Sequence, residues 1–195
     1  MKKIVVFASG SGSNFQSIID ATITGQIPGV IAGLITDREN IKAIDRAKKH
    51  QIPFQVVVPS QLKNESEFAT SLLDVLSNFE TDVIILAGYL KKIPAEVIRE
   101  YEGRILNIHP SLLPRFGGKG FYGLKVHQAV VDQHEKESGC TVHVVTEEYD
   151  DGPILGQSKV EVNVDDTAES LAQKVLALEH KLYPKVISDF IKTIK

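Results

Sequence analysis

An amide and an imidazole stand two residues apart in Arg104-Ile105-Leu106-Asn107-Ile108-His109-Pro110-Ser111-Leu112-Leu113-Pro114. In an extended strand, residues i and i+2 leave the same face, so Asn107 and His109 would project side by side. Pro110 has no N–H to give to a ladder, so the strand is expected to end there. A hydrogen-bond donor beside a titratable base suits a reaction that builds negative charge on an oxygen while a proton moves. Both residue types also have structural uses, histidine as a hydrogen-bonded core group and asparagine as a turn former. What surrounds the pair decides between these readings.

Two other segments are candidates to meet it. Ala8-Ser9-Gly10-Ser11-Gly12-Ser13-Asn14 joins an apolar run to a helix-like one. Glycines there let the backbone approach a ligand, and the helix start offers free N–H groups to an anion. Phe15 stands where a dinucleotide fingerprint needs its third glycine, and no P-loop lysine follows, so a single phosphate is the better fit. The structural alternative is a tight turn with Ser13 or Asn14 as the helix N-cap. Asp37, near the end of the second apolar run, keeps a nicotinamide-cofactor reading open as a ribose ligand. The second candidate is Glu147-Glu148-Tyr149-Asp150-Asp151-Gly152-Pro153, in which a carboxylate could orient His109 and favour its charged form. Asp-Gly-Pro also marks ordinary turns with solvated acids.

The elements that must bring these together alternate along the chain. Unbroken apolar runs occur at Ile4–Ala8, Val30–Ile35, Phe54–Val58, Val83–Ala87, Ile105–Ile108 and Thr141–Val145, the pattern of strands buried on both faces. Helix-like segments lie between them, at Asn14–Ala21, Ile41–His50, Glu65–Phe79, Pro94–Tyr101 and Gly123–Gln133. A last helix opens with Asp166 and Glu169 spaced as a capping box. It carries an apolar stripe through Leu171, Val175, Leu178 and Leu182, and Pro184 is expected to break or restart it. The whole predicts an α/β fold: a Rossmann-like, doubly wound, mostly parallel sheet with helices on both faces, in one domain over 1–195. If the first, fifth and sixth strands lie together in a parallel sheet, their carboxyl ends share a crevice. Pro114–Tyr122, with Gly117, Gly118 and Gly120, follows the Asn-His strand as either a flap or a surface connection.

Composition narrows the classes. A net charge of −3 gives no global attraction to nucleic acid or anionic membrane. The single cysteine, Cys140, excludes a disulfide framework, and the six histidines form no compelling ligand cluster, so no metal is expected. The apolar run after Met1-Lys2-Lys3 is too short for a signal core, and no segment reaches membrane-spanning length, so a cytoplasmic protein is expected.

Asn107-Ile108-His109-Pro110-Ser111-Leu112-Leu113-Pro114, with Gly12-Ser13-Asn14 upstream and Asp150-Asp151-Gly152-Pro153 downstream, resembles the folate-dependent phosphoribosylglycinamide formyltransferases of purine synthesis. The resemblance runs from Lys3 to the C-terminal helices. It implies transfer of the formyl group of 10-formyltetrahydrofolate, as co-substrate, to the amine of glycinamide ribonucleotide through a tetrahedral intermediate. It also implies that Asn107 donates to the oxyanion, that His109 handles the proton, and that Asp150 holds His109 and raises its pKa. Asp151 competes with Asp150 on spacing; the family's Asp-Gly-Gly-Pro pattern favours Asp150. Gly12, Ser13, Asn14, Phe15 and Gln16 match the family's ribonucleotide site, joined by Glu179. Leu90, Lys91, Lys92 and Ile93 match its folate pocket, with Asn107 and Thr146, Glu147, Glu148, Tyr149 and Asp150. The expected partners are these two small molecules, with a monomer or homodimer as the assembly.

The chain departs from the family at two places. Some members carry an arginine near Glu65; here there is none, and Lys63 is the candidate substitute. The loop Phe116–Gly123 is longer than usual, with Lys119 available to a phosphate or a folate tail. The rival readings are a formyltetrahydrofolate hydrolase, a methionyl-tRNA formyltransferase and a non-catalytic nucleotide-binding module. The first normally carries an extra N-terminal domain and the second a basic C-terminal one, and this chain is expected to have neither.

Overall fold

Seven strands and six helices follow one another in the computed structural model, which describes residues 1–194. The strands are β1 (Lys2–Ala8), β2 (Gly29–Thr36), β3 (Phe54–Val56), β4 (Val83–Leu86), β5 (Ile105–His109), β6 (Glu137–Val144) and β7 (Ile154–Glu161). The helices are α1 (Ser13–Ile23), α2 (Lys42–Lys49), α3 (Glu65–Asn78), α4 (Ala95–Glu100), α5 (Leu124–Asp132) and α6 (Ala168–Ile191). All strands join one sheet in the order β3-β2-β1-β4-β5-β6-β7. The first five in chain order are parallel, giving the doubly wound sheet expected from the unbroken apolar runs.

Alternate residues of the central strands feed two separate cores. Ile4, Val6 and Ala8 of β1 pack toward α1, α2, α5 and α6 with Phe15, Ile18, Val130, Leu171, Val175 and Tyr183. Val5 and Phe7 face the other way, onto Phe68, Leu72 and Leu76 of α3 and Val97 and Ile98 of α4. Burial on both faces is why these runs do not alternate with polar residues. In β5, Leu106 and Ile108 join the first core, whereas Ile105 joins the second. Asn107 and His109 therefore share the second face.

The structure departs from the expected elements at four points. Strand β6 runs antiparallel to β5, pairing Asn107 with His143 and His109 with Thr141. Its carboxyl end therefore lies beside the start of β5, with the Val145 N–H donating to the Ile105 carbonyl, and cannot share a crevice in the parallel sense. Strand β7 had no apolar run to announce it: Ile-Leu-Gly-Gln-Ser-Lys-Val-Glu is a half-exposed edge strand that exists by pairing with β6. Pro184 lies inside α6 without ending it. The packing of fully buried Tyr183 and Ile187 on either side offsets the missing hydrogen bond. The capping box of α6 is Thr167 with Ser170, not Asp166 with Glu169; Asp166 instead accepts from the Ser170 hydroxyl.

Tyr183 also ties α6 to the sheet centre. Its buried hydroxyl is shared between the carbonyls of Leu86 on β4 and Leu106 on β5, each at 3.0 Å. Tyr183→Phe removes that donor and is expected to cost about 1–3 kcal/mol. Urea unfolding checks this: the midpoint falls at unchanged m-value, and an unmoved midpoint would show the hydroxyl contributes nothing.

Candidate active site

The strand order reverses between β1 and β4, and ligands of open α/β sheets bind at the carboxyl edge of such a point. Here the edge opens into a cleft of about 950 Å³, toward the upper end of small-molecule sites. Gly10–Asn14 after β1, Gly88–Ile93 after β4 and Asn107–Pro110 of β5 form its floor. Gly118–Leu124, Thr146–Asp150 and three residues of α6 form its walls.

The β1 turn leaves backbone N–H groups open at the start of α1. Gly12 is the N-cap of α1 in the left-handed region (φ 68°), and no side chain caps the helix. That removes the alternative of Ser13 or Asn14 as N-cap and leaves the first-turn N–H groups open to a ligand. A Cβ at Gly12 would sit 2.8 Å from Ala43 Cβ, so only glycine lets α2 pack this close. Asn14 Nδ2 donates to Glu179 Oε2 at 2.6 Å, and Asn14 Oδ1 is buried with no partner among the described residues. Burial pushes the Glu179 carboxyl up to about 7, against the opposing Asn14 hydrogen bond. Phe15 and Gln16 lie elsewhere. Phe15 is wholly in the core, and Gln16 faces Arg46, His50 and Asp20.

Asn107, His109 and Asp150 are brought together, and His143 joins them. Asp150 Oδ2 is 3.5 Å from His109 Nδ1, and its Oδ1 is 3.5 Å from His143 Nε2. The β6–β7 loop achieves this by folding back over the sheet face. Gly152 is what allows it, since a Cβ there would lie 1.7 Å from the Val144 carbonyl. Asp151 is exposed and does not line the cleft. Asn107 Nδ2 lies 3.1 Å from His143 Nε2. The other nitrogen of His143 is 3.0 Å from the Val144 carbonyl, which can only accept, so Nδ1 carries a proton. Nε2 faces both the Asn107 amide, at 3.1 Å, and Asp150 Oδ1, at 3.5 Å, so His143 fixes the orientation of the Asn107 side chain. His143 was visible in the sequence only as one histidine in a strand; its cross-strand register supplies the meaning.

The glycine loop is a wall of this site rather than a surface connection. Phe116 O accepts from His109 Nε2 at 2.8 Å, and the Gly118 N–H donates to Asp150 Oδ2 at 2.9 Å. Both nitrogens of His109 thus face acceptors, as the doubly protonated ring requires. Burial nevertheless holds the His109 pKa below its ordinary value; Asp150 and Phe116 O pull it upward, and His143 pushes it down. Asp150 pulls the pKa upward as expected of it, but burial outweighs the carboxylate and the net shift is downward. Burial also works to raise the Asp150 carboxyl, but the contacts from His143, His109 and the Gly118 N–H keep it low. His127 of α5, missed in the sequence, lines the same cleft. Burial takes it down to about 4, with His109 adding to the shift, and its Nδ1 has no partner.

The remaining wall joins two loops. Lys92 lies over the Tyr149 ring, 5.3 Å from its centroid, and Arg99 Nη1 is 3.6 Å from Glu147 Oε1. Leu90, Lys91 and Ile93, with Thr146 and Glu148, complete that side. Ser9 positions it, accepting from the Leu90 N–H at 2.9 Å. Asp37 is occupied by a two-point bond to Arg38, at 3.1 and 2.8 Å, which leaves it unavailable to a cofactor ribose. Lys63 is exposed and outside the cleft, whereas Lys119 lines it. Among the described residues no cluster of three or more His, Cys, Asp or Glu could hold a metal, and no helix is long and apolar enough to cross a membrane.

A turn with open N–H groups and an amide–imidazole–carboxylate set share one cleft. The chain belongs to the formyl transferase family, whose model matches residues 2–187. Within that family it is similar to phosphoribosylglycinamide formyltransferases. It is 46% identical over 188 residues to the chloroplastic enzyme of Arabidopsis thaliana, covering 95% of this chain and 64% of that one. To the Haemophilus influenzae enzyme it is 39% identical, covering 97% of this chain and 87% of that one. The crystal structure of glycinamide ribonucleotide transformylase 1 from Symbiobacterium toebii superposes with a TM-score of 0.93 at 37% identity, covering 98% of this chain and 88% of that one. The chain spans less than two thirds of the length of the plant relative.

Asp150→Asn removes the negative charge that pulls His109 upward, so the imidazole should titrate at still lower pH than in the parent. An NMR titration of the His109 ring checks the sign; a midpoint that rises would contradict the assignment of causes.

Proposed function

We propose that this chain transfers the formyl group of 10-formyltetrahydrofolate to the amine of glycinamide ribonucleotide. The observation that carries the reading is the meeting of Asn107, His109 and Asp150 beside the open turn at Gly12–Asn14, within one cleft. The ribonucleotide phosphate rests on the N–H groups of Gly12, Ser13 and Asn14, with Glu179 at the same end. The pterin lies between Leu90–Ile93 and Thr146–Asp150, where apolar and aromatic surface suits a flat ring.

The substrate amine attacks the formyl carbon, forming a C–N bond as the carbonyl π pair moves onto oxygen. Asn107 Nδ2 donates to that oxyanion, held in its rotamer by His143. Collapse breaks the bond from the formyl carbon to N10 of the folate, which takes a proton as the attacking nitrogen loses one. His109 mediates this exchange: Nε2 turns from the Phe116 carbonyl to the reacting atoms, and Asp150 stabilises the charged ring from Nδ1. The proton count balances without an external acid.

The decisive assay supplies each substrate alone and then both, following tetrahydrofolate release and formylated ribonucleotide. Product only when both are present supports the transferase. Folate turnover without the amine would make the chain a hydrolase instead, and ribonucleotide binding with no turnover would reduce it to a binding module. Asn107→Ala is expected to lower kcat by about 10²–10³, the effect of losing one oxyanion donor, without a change in Tm. Near-normal turnover in His109→Ala would sink the catalytic assignment.

A further inference from the structure

Helix α2 grips the turn between β1 and α1 from the side away from the cleft. The Ala43 N–H donates to the Gly10 carbonyl at 3.2 Å. Arg46 Nε donates to the Ser11 carbonyl at 2.9 Å, while its Nη1 donates to Gln16 Oε1 at 3.0 Å. A peptide unit is planar and trans, so its C=O and N–H point in opposite directions. Holding the Gly10 and Ser11 carbonyls toward α2 therefore turns the Ser11 and Gly12 N–H groups away from it. Among the described residues, the N–H groups of Ser11, Gly12 and Ser13 have no backbone acceptor. Arg46 itself is half-buried and does not line the cleft, so it acts on a ligand only through the turn. Its charge also depresses the pKa of His180 on α6, after burial, so its field spans this end of the molecule.

We propose that Arg46 is a positioning residue for anion binding: its guanidinium fixes the Ser11–Gly12 peptide plane so that the turn presents its N–H groups to the substrate phosphate. This rests on the reading of that turn as the phosphate site. Arginine suits the task because its rigid fork bridges two acceptors, the Ser11 carbonyl and the Gln16 amide oxygen, on different segments. A lysine carries the charge but not the fork.

Steady-state kinetics with each substrate varied in turn test the proposal in Arg46→Met, Arg46→Lys and Asn14→Ala. Arg46→Met should raise KM for glycinamide ribonucleotide about tenfold or more, the scale of one lost charge-assisted hydrogen bond. Saturating kcat and KM for the folate should each stay within about twofold, since the interaction lost is uniform binding. Arg46→Lys should lie between parent and Met variant. Inorganic phosphate, as a competitor of the ribonucleotide, should weaken in the same proportion as KM rises. A fall in kcat at unchanged KM, or equal losses for both substrates, overturns the proposal. If Asn14→Ala raises the ribonucleotide KM and Arg46→Met does not, the phosphate site stands and Arg46 has no part in it. If neither moves, the phosphate reading falls and the proposal with it. Should Arg46→Met fail to fold, Arg46→Lys carries the test, and an unchanged ribonucleotide KM then overturns the proposal.

Discussion

Parallel strands buried on both faces leave their polar business to one edge. In this chain β1 and β4 lie between two helical layers, and Ile4–Ala8 and all of β4 are spent on one core or the other. The groups that line the cleft therefore collect where those strands end, at Gly10–Asn14 and Gly88–Ile93. The reversal of strand order between β1 and β4 separates the helices there and keeps the space open. The cleft follows from this packing constraint before any catalytic residue is considered.

The second layer of organisation is the change of direction at β6. A parallel sixth strand would have sent its following loop to the common edge, away from the face of β5. The antiparallel strand instead sets His143 beside Asn107 and makes the next loop a β6–β7 connection that folds over both. One carboxylate, Asp150, then serves two histidines with its two oxygens. Burial and charge compete there. Desolvation favours a neutral His109, while Asp150 and the Phe116 carbonyl favour the charged ring. A group under such opposed pressures changes charge readily when a ligand alters either one, which is useful in a proton carrier.

Incomplete hydrogen bonding marks the same region. Among the described residues Asn14 Oδ1 and His127 Nδ1 are buried without partners, and both residues line the cleft. Unpaired buried polar atoms are costly, so their position in the cleft suits groups kept for a ligand. Glu179 belongs with them, its carboxyl raised to about 7 by burial and steadied by Asn14. The sequence offered weak support for Glu179, because a single acid on a helix is usually solvated; only the packing of α6 against α1 distinguishes it.

Local physics made much of this protein legible in the sequence. Unbroken Val/Ile/Leu runs identify strands buried on both sides, the spacing of Asn107 and His109 puts them on one face, and glycines at 10 and 12 mark a turn open to a ligand. Each of these depends on residues close in sequence. The direction of β6, the edge strand β7, the continuation of α6 through Pro184 and the direction of the His109 shift were not legible, since each is decided by contacts between distant segments. Phe15 shows the boundary well: adjacent to the open turn in sequence, it points into the core because the helical turn after Asn14 rotates it there. The sequence by itself determined which chemical groups are available and which strand face carries them. The tertiary structure alone decided which groups meet, and how burial and neighbouring charge divide the proton between His109 and Asp150. Spacing along the chain constrains direction over a few residues, whereas desolvation and charge act through space.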